Sequence, residues 1–231
     1  MSSLGSRLEA ALSLLKQCKN NNLFADIGSD HAFLAIEAVK RGIAKNAIAA
    51  DINELPLLKG KENAQSMGIE PEFILSDGFD AFDGRDISSA AICGMGGELI
   101  AKIVLRSKSA KNAFLVLQPM SAQEDLRKAL WDNGFDIFKE EFVFENGKAY
   151  TVMAVKYSGE TTDYSYDDLF LGKERLPSFE FSKYCEKVLQ SAKKRRLGLI
   201  ARNEDCRETD ALIAFCQTQT TNLSSGTNFN K

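Results

Sequence analysis

The sequence holds a single histidine, His31, and its five cysteines (Cys18, Cys93, Cys185, Cys206 and Cys216) form an odd, widely spaced set with no C-x-x-C pair. A zinc site of the usual Cys/His kind is therefore not expected, nor any other metal, and the thiols read as free side chains of a reducing compartment. The first residues lack the apolar core of a secretory signal. No apolar run approaches the ~20 residues that cross a bilayer. Positive charge is not in excess either: 29 Lys+Arg stand against 32 Asp+Glu, a formal net charge of −3. Any nucleic-acid surface then has to be a local patch. The expectation is a cytoplasmic protein without membrane contact; a monomer is compatible with all of this, and the oligomeric state is not legible.

What remains is an ordinary globular balance: 231 residues, 44% hydrophobic and 26% charged. That length suits one main domain with an appendage. Short apolar runs alternate with helical periods. Leu23 to Ile27, Ala47 to Ala50, Phe73 to Leu75, Ser89 to Cys93 and Phe114 to Leu117 read as strands. Between them, helices are predicted over Ala32 to Val39, from Pro56 to about Met67, over Leu99 to Leu105 and from about Ala122 to Trp131, after a first helix within Leu4 to Lys19. Five strand–helix alternations predict a doubly wound parallel sheet. Ile137 to Phe144 and Ala149 to Val155 flank Glu145-Asn146-Gly147-Lys148, whose Asn-Gly is a hairpin signal. An antiparallel closing hairpin favours the Rossmann-like methyltransferase version of the α/β class. From about Asp167 the pattern turns helical, with a second helix from about Glu208 to Gln217. The domains expected are 1–158 (catalytic), 166–216 (a small C-terminal helical domain) and 217–231, a Thr/Asn/Ser-rich tail read as unstructured.

Open α/β sheets bind ligands beyond the carboxyl ends of their strands, and polar and glycine residues cluster there. Asp26, Gly28, Ser29, Asp30 and His31 follow the first strand; Asp51, Ile52 and Asn53 the second; Asp77 and Gly78 the third; Gly94, Met95, Gly96 and Gly97 the fourth; Gln118 and Pro119 the fifth. Each cluster alone reads equally well as a cap or turn. A dinucleotide loop needs G-x-G-x-x-G for its pyrophosphate. Here only Gly28 matches, and Asp30 would repel a diphosphate. S-adenosylmethionine fits better, because it carries no phosphate and offers a sulfonium and an ammonium that Asp26 and Asp30 can attract. Asp51 is placed to accept ribose hydroxyls, Asp77 to accept from the adenine amino group, and Gly78 to leave room for the base. Gly94, Met95, Gly96, His31 and Gln118 form the candidate catalytic group, with Gly94 also against the cofactor. His31 sits at a helix start, where the dipole favours neutral imidazole; packing and catalysis both stay open for it. Arg7 either lies on the surface or reaches the cleft. Lys193, Lys194, Arg195 and Arg196 crown a stretch, Phe170 to Ile200, with eight bases and three acids. That asymmetry suits phosphate contacts, although a solvated helix face gives the same run.

The strings Ala25-Asp26-Ile27-Gly28-Ser29-Asp30-His31-Ala32, Gly94-Met95-Gly96-Gly97 and Leu117-Gln118-Pro119, in this order and spacing, resemble the bacterial tRNA (adenine-N1)-methyltransferases that modify adenosine 22. The likeness covers Leu4 to Tyr157 and is weaker in the tail. The chain departs from the family pattern at Ala35, where proline is usual, at Asp51, where glutamate is usual, and at Met120, in place of an asparagine. The resemblance implies a Rossmann-like catalytic domain, a C-terminal helical domain that helps grip tRNA, and S-adenosylmethionine as methyl donor. A methyltransferase of another substrate and a non-catalytic RNA-binding relative are the alternatives.

Overall fold

The computed structural model describes residues 4–82 and 84–224, the last three by backbone alone. Two compact units emerge: Met1–Glu141 with Thr151–Asp163, and Phe142–Tyr150 with Tyr164–Lys231.

The first unit is built on strands β1 (Leu23–Ile27), β2 (Asn46–Asp51), β3 (Glu72–Leu75), β4 (Ser89–Gly96) and β5 (Phe114–Ser121), followed by β6 (Phe135–Glu145) and β7 (Lys148–Tyr157). Their order in the sheet is β3-β2-β1-β4-β5-β7-β6. β1 to β5 pair in parallel, and β7 runs antiparallel to β5. The order reverses between β1 and β4, which is where a crevice opens in such sheets. Buried strands need apolar residues on both faces, and β1 supplies Phe24, Ala25 and Ile27 while β4 supplies Ala90, Ala91 and Ile92. Ile27, Ile92 and Leu117 share one core with Ile100, Val104, Leu126 and Leu130.

Helices α1 (Ser6–Leu15), α2 (Phe33–Lys40), α3 (Glu54–Met67), α4 (Gly97–Arg106), α5 (Lys108–Asn112) and α6 (Gln123–Asp132) belong to this unit. α3 stops at Gly68 in the left-handed conformation, the usual end signal. The Asn146-Gly147 turn has φ of 50° and 75°, the positive pair of a type I′ hairpin. β4 and β5 outrun the lengths expected from their apolar cores. They stay paired through an irregular register that sets Met95 opposite Pro119 and Gly96 opposite Ser121. The Gly94-Met95-Gly96 segment is thus strand, not a free loop. The short α5 was not foreseen; the Ser107 hydroxyl caps it by accepting from Ala110 N.

In the second unit, α7 (Tyr166–Leu171), α8 (Phe179–Ala201) and α9 (Arg207–Ser224) pack around Leu171, Phe181, Tyr184, Cys185, Leu212 and Cys216, with Phe142 of the β6 segment among them. α7 starts with a capping box between Ser165 and Asp168. The expected domain limits take no account of the hairpin tip, which groups with these helices. The reading of an unstructured tail from Gln217 is corrected up to Ser224, which ends α9. The hydroxyls of Thr218, Thr220 and Thr221 turn back onto carbonyls of the preceding turn, so these polar residues are accommodated within the helix. The remainder of that tail, 225–231, lies outside the described residues. Among the described residues no helix is long and apolar enough to cross a membrane.

Candidate functional site

A cleft opens at the carboxyl ends of β1 and β4, as the strand order predicts. One wall is the loop after β1, from Asp26 through His31, with the first residues of α2; the other is Cys93, Gly94 and Gln118, with Arg7 and Leu8 of α1. The β1 loop turns sharply. Gly28 N and Ser29 N both donate to Ala50 O, at 2.8 and 2.9 Å. Gly28 has φ of 72°, and a Cβ there would lie 2.0 Å from the Met95 methyl, so Met95 packs against the loop at a point where only glycine leaves room.

Asp26 is buried. Its Oδ2 accepts from Ser29 Oγ at 2.7 Å and from Ala35 N at 3.3 Å. Burial pushes its carboxyl up to about 6; the Ser29 hydroxyl and the Ala35 amide oppose that rise, and the charge of Asp51 adds to it. The same seclusion, with Asp26 beside it, pushes the Cys93 thiol well above its ordinary range and keeps it protonated. Asp30 is exposed, 3.6 Å from His31 Nε2, and the His31 ring tilts against Phe33 with centroids 5.7 Å apart. His31 and Ala32 have φ of 143° and 58°, a positive-φ pair with no glycine. α2 follows without a side-chain cap.

Gln118 is fully buried. Its Oε1 accepts from Gly94 N at 3.1 Å and from Arg7 Nη1 at 3.3 Å, while its Nε2 donates to Pro119 O. Both ends of the amide are engaged, so Gln118 sets the position of Gly94. Arg7 reaches the cleft from α1 and also donates to Met120 Sδ at 3.1 Å; the thioether that replaces the family's asparagine serves as its acceptor. Gly94 has φ of 83° with open space where a Cβ would be. Gly97 instead makes room for protein, since a Cβ there would come 2.2 Å from Ala122 O.

The cleft lining thus unites Arg7, Asp26, Gly28, Ser29, Asp30, His31, Gly94 and Gln118. Asp51, Ile52, Asn53, Asp77 and Gly78 stand outside it, at the ends of β2 and β3. Asp51 Oδ1 accepts from Asn53 N at 2.8 Å and from Asn53 Nδ2 at 3.3 Å; Ile52 is exposed. Asp77 has a protein partner that the sequence did not disclose: Arg106 of α4 binds its carboxylate at 2.8 Å and its carbonyl at 2.6 Å. Gly78 is needed for its φ of 63° and for Ile103 Cγ2, which a Cβ would meet at 2.8 Å. Asn63 of α3, also unforeseen, donates to His31 O at 3.0 Å.

The basic run of α8 is divided among several faces. Arg196 pairs with Asp210 of α9, and Arg195 lies over the Phe170 ring, 5.0 Å from its centroid. Lys193 and Lys194 are exposed.

A model of the methyltransferase domain family matches residues 4–153. The tRNA (adenine(22)-N(1))-methyltransferase of Bacillus subtilis is 32% identical over 161 residues, which cover 68% of this chain and 67% of that protein. The crystal structure of the B. subtilis M1A22 tRNA methyltransferase superposes with a TM-score of 0.71 at 26% identity, covering 96% of this chain and 98% of that one. A Streptococcus pneumoniae protein, described as a candidate tRNA (m1A22) methyltransferase and solved with S-adenosyl-L-methionine, superposes at 0.76 with 29% identity, over 94% of this chain and all of that one.

Proposed function

This chain belongs to the tRNA (adenine(22)-N(1))-methyltransferase family, and from that premise we propose that it transfers a methyl group from S-adenosylmethionine to N1 of adenosine 22 in tRNA, in the cytoplasm. The observation that carries the reading is the composition of the cleft at the β1/β4 switch point. It has a buried carboxyl, Asp26, and an exposed one, Asp30, and a single glycine where a diphosphate would need three. That set suits a cationic, phosphate-free cofactor. Asp26 and Asp30 favour the sulfonium and ammonium. Asp51 Oδ1 already accepts twice, so Oδ2 takes the ribose contact. The Asp77 carboxylate, which Arg106 holds, is the proposed acceptor for the adenine amino group.

S-adenosylmethionine supplies the electrophilic methyl. The N1 lone pair lies in the plane of the adenine ring; the N1–methyl bond forms as the sulfur–methyl bond breaks, and the ring takes the positive charge. No proton has to leave, so no general base is required. The protein's task is then alignment. Gln118 holds Gly94 through its backbone N–H and leaves the Gly94 side of the cleft open to the base, with Met95 locked behind it on Gly28. The carbonyls and carboxylates there favour the developing cation. His31 borders the same cleft. Adenosine 22 is paired in folded tRNA and has to be flipped out. Arg7 at the cleft, and separately Lys193 and Lys194 on α8, are the proposed contacts to tRNA phosphates.

The test is incubation with radiolabelled donor and unmodified tRNA, followed by nucleoside analysis. Label should appear in 1-methyladenosine and vanish when position 22 is changed to guanosine. Label in any other nucleoside, or its persistence in the position-22 variant, refutes the proposal.

A further inference from the structure

The β1 loop holds two successive residues, His31 and Ala32, at φ of 143° and 58°. Left-handed backbone costs an L-residue roughly 1–2 kcal/mol, and such conformations persist only where the surroundings impose them. Within the loop, Asp26 Oδ2 holds Ser29 and Ala35 on either side of the pair, while the backbone bond made by His31 N reaches only to Ser29 O, two residues back. A further restraint, on the pair itself, comes from α3. Asn63 Nδ2 donates to His31 O at 3.0 Å. One turn earlier on the same helix face, Gly60 admits the Ala32 side chain; a Cβ on Gly60 would stand 3.0 Å from Ala32 Cβ and 2.9 Å from Phe73 Cε1. The spacing of three residues puts the hydrogen bond and the notch side by side. The turn so held is the one that directs His31 and the uncapped start of α2 toward the cleft.

We infer that Asn63 is a positioning residue for the methyl donor: with Gly60 it braces the His31–Ala32 turn from α3 and so presets the shape of the cofactor loop. This rests on the proposed use of the cleft by S-adenosylmethionine. Asn63 does not line the cleft, so its effect passes through the loop. The loss falls on donor binding and not on chemistry, which follows when an interaction acts equally in ground and transition states.

Asn63→Asp keeps the shape but sets a charged acceptor against His31 O; Asn63→Leu removes the donor without adding charge. Both are compared with wild type by calorimetric titration with S-adenosylmethionine, thermal melting and steady-state kinetics. The expected result is donor affinity weaker by about 5- to 10-fold, the worth of one hydrogen bond. KM for the donor rises in step, while kcat and KM for tRNA stay within about twofold. A second variant, Ala32→Gly in the Asn63→Leu background, relieves the cost of positive φ and should recover part of the affinity. Wild-type affinity in both Asn63 variants overturns the brace, as does an equal loss in donor and tRNA parameters with a lowered melting temperature. Failure of the wild-type protein to bind S-adenosylmethionine would instead overturn the cofactor reading, and the brace with it.

Discussion

Asp26→Asn removes one charge from the cleft and keeps the shape of the side chain, including an oxygen able to accept from Ser29 and Ala35. In the folded chain the carboxyl holds its proton up to about pH 6, against an ordinary 3.8 for an unburied aspartate. Between those two values the folded state carries a proton that the unfolded state has lost. Wild-type stability therefore falls as pH rises through this window, and the penalty is complete above it. Its ceiling is about 3 kcal/mol, from 1.36 kcal/mol for each tenfold change in proton affinity. For a chain of this size that corresponds to a rise in melting temperature of about 6–12 °C for the asparagine variant at pH 8. The gain should shrink from pH 6 downward and disappear below 3.8. Donor binding runs the other way. A sulfonium and an ammonium favour the ionised carboxyl, so wild-type affinity for S-adenosylmethionine should weaken as pH falls through about 6, while the variant binds more weakly with no such slope. Differential scanning fluorimetry across pH 4 to 8 and calorimetry at both ends give the two curves. A variant no more stable than wild type at pH 8, or a gain that grows toward pH 4, would refute the electrostatic account of the buried carboxyl.

Asp51→Ala should lower affinity for S-adenosylmethionine by about 10- to 100-fold, the range for hydrogen bonds to a charged acceptor; unchanged affinity in calorimetry removes the ribose assignment. Reversal of Lys193 and Lys194 to glutamate should weaken tRNA binding and leave donor binding alone. It should also reduce the slope of log affinity against log salt by about 1.5–2, as expected for two lost phosphate contacts. Equal tRNA affinity at every salt concentration sinks that surface. Arg195 and Arg196 are poorer choices for this test, because their loss also disturbs Phe170 and Asp210.

Much of the sheet is legible in the chain because the first four strands are apolar runs closed by a glycine or an aspartate, and the fifth by Gln118-Pro119. β1 has the bounds its composition predicts, and the Asn-Gly turn fixes the hairpin. Candidate ligand residues at strand ends follow from topology, so the loop after β1 stands out in the sequence. What stays hidden is the pairing of residues far apart in sequence. Nothing near Gln118 announces Arg7, 111 positions away. Nothing near Asp77 announces Arg106, and nothing near His31 announces Asn63. Positive φ at His31 and Ala32 is equally silent, since that conformation normally advertises itself through glycine. The continuation of β5 across Pro119 runs against local propensity, and it is the neighbouring β4 that supplies the pairing.

The assignment of the hairpin tip to the helical unit bears on how such a chain is taken apart. The polypeptide passes between the two units three times, after Glu141, after Tyr150 and after Asp163. A protease cut in the connection between β7 and α7 would sever only the last of these passages. Phe142 would still lie against Phe181 and Tyr184, and Phe144 against Phe179, so the nicked halves stay joined through aromatic contacts within one core. The helical unit is therefore built from two separate stretches of chain, the hairpin tip and the C-terminal helices.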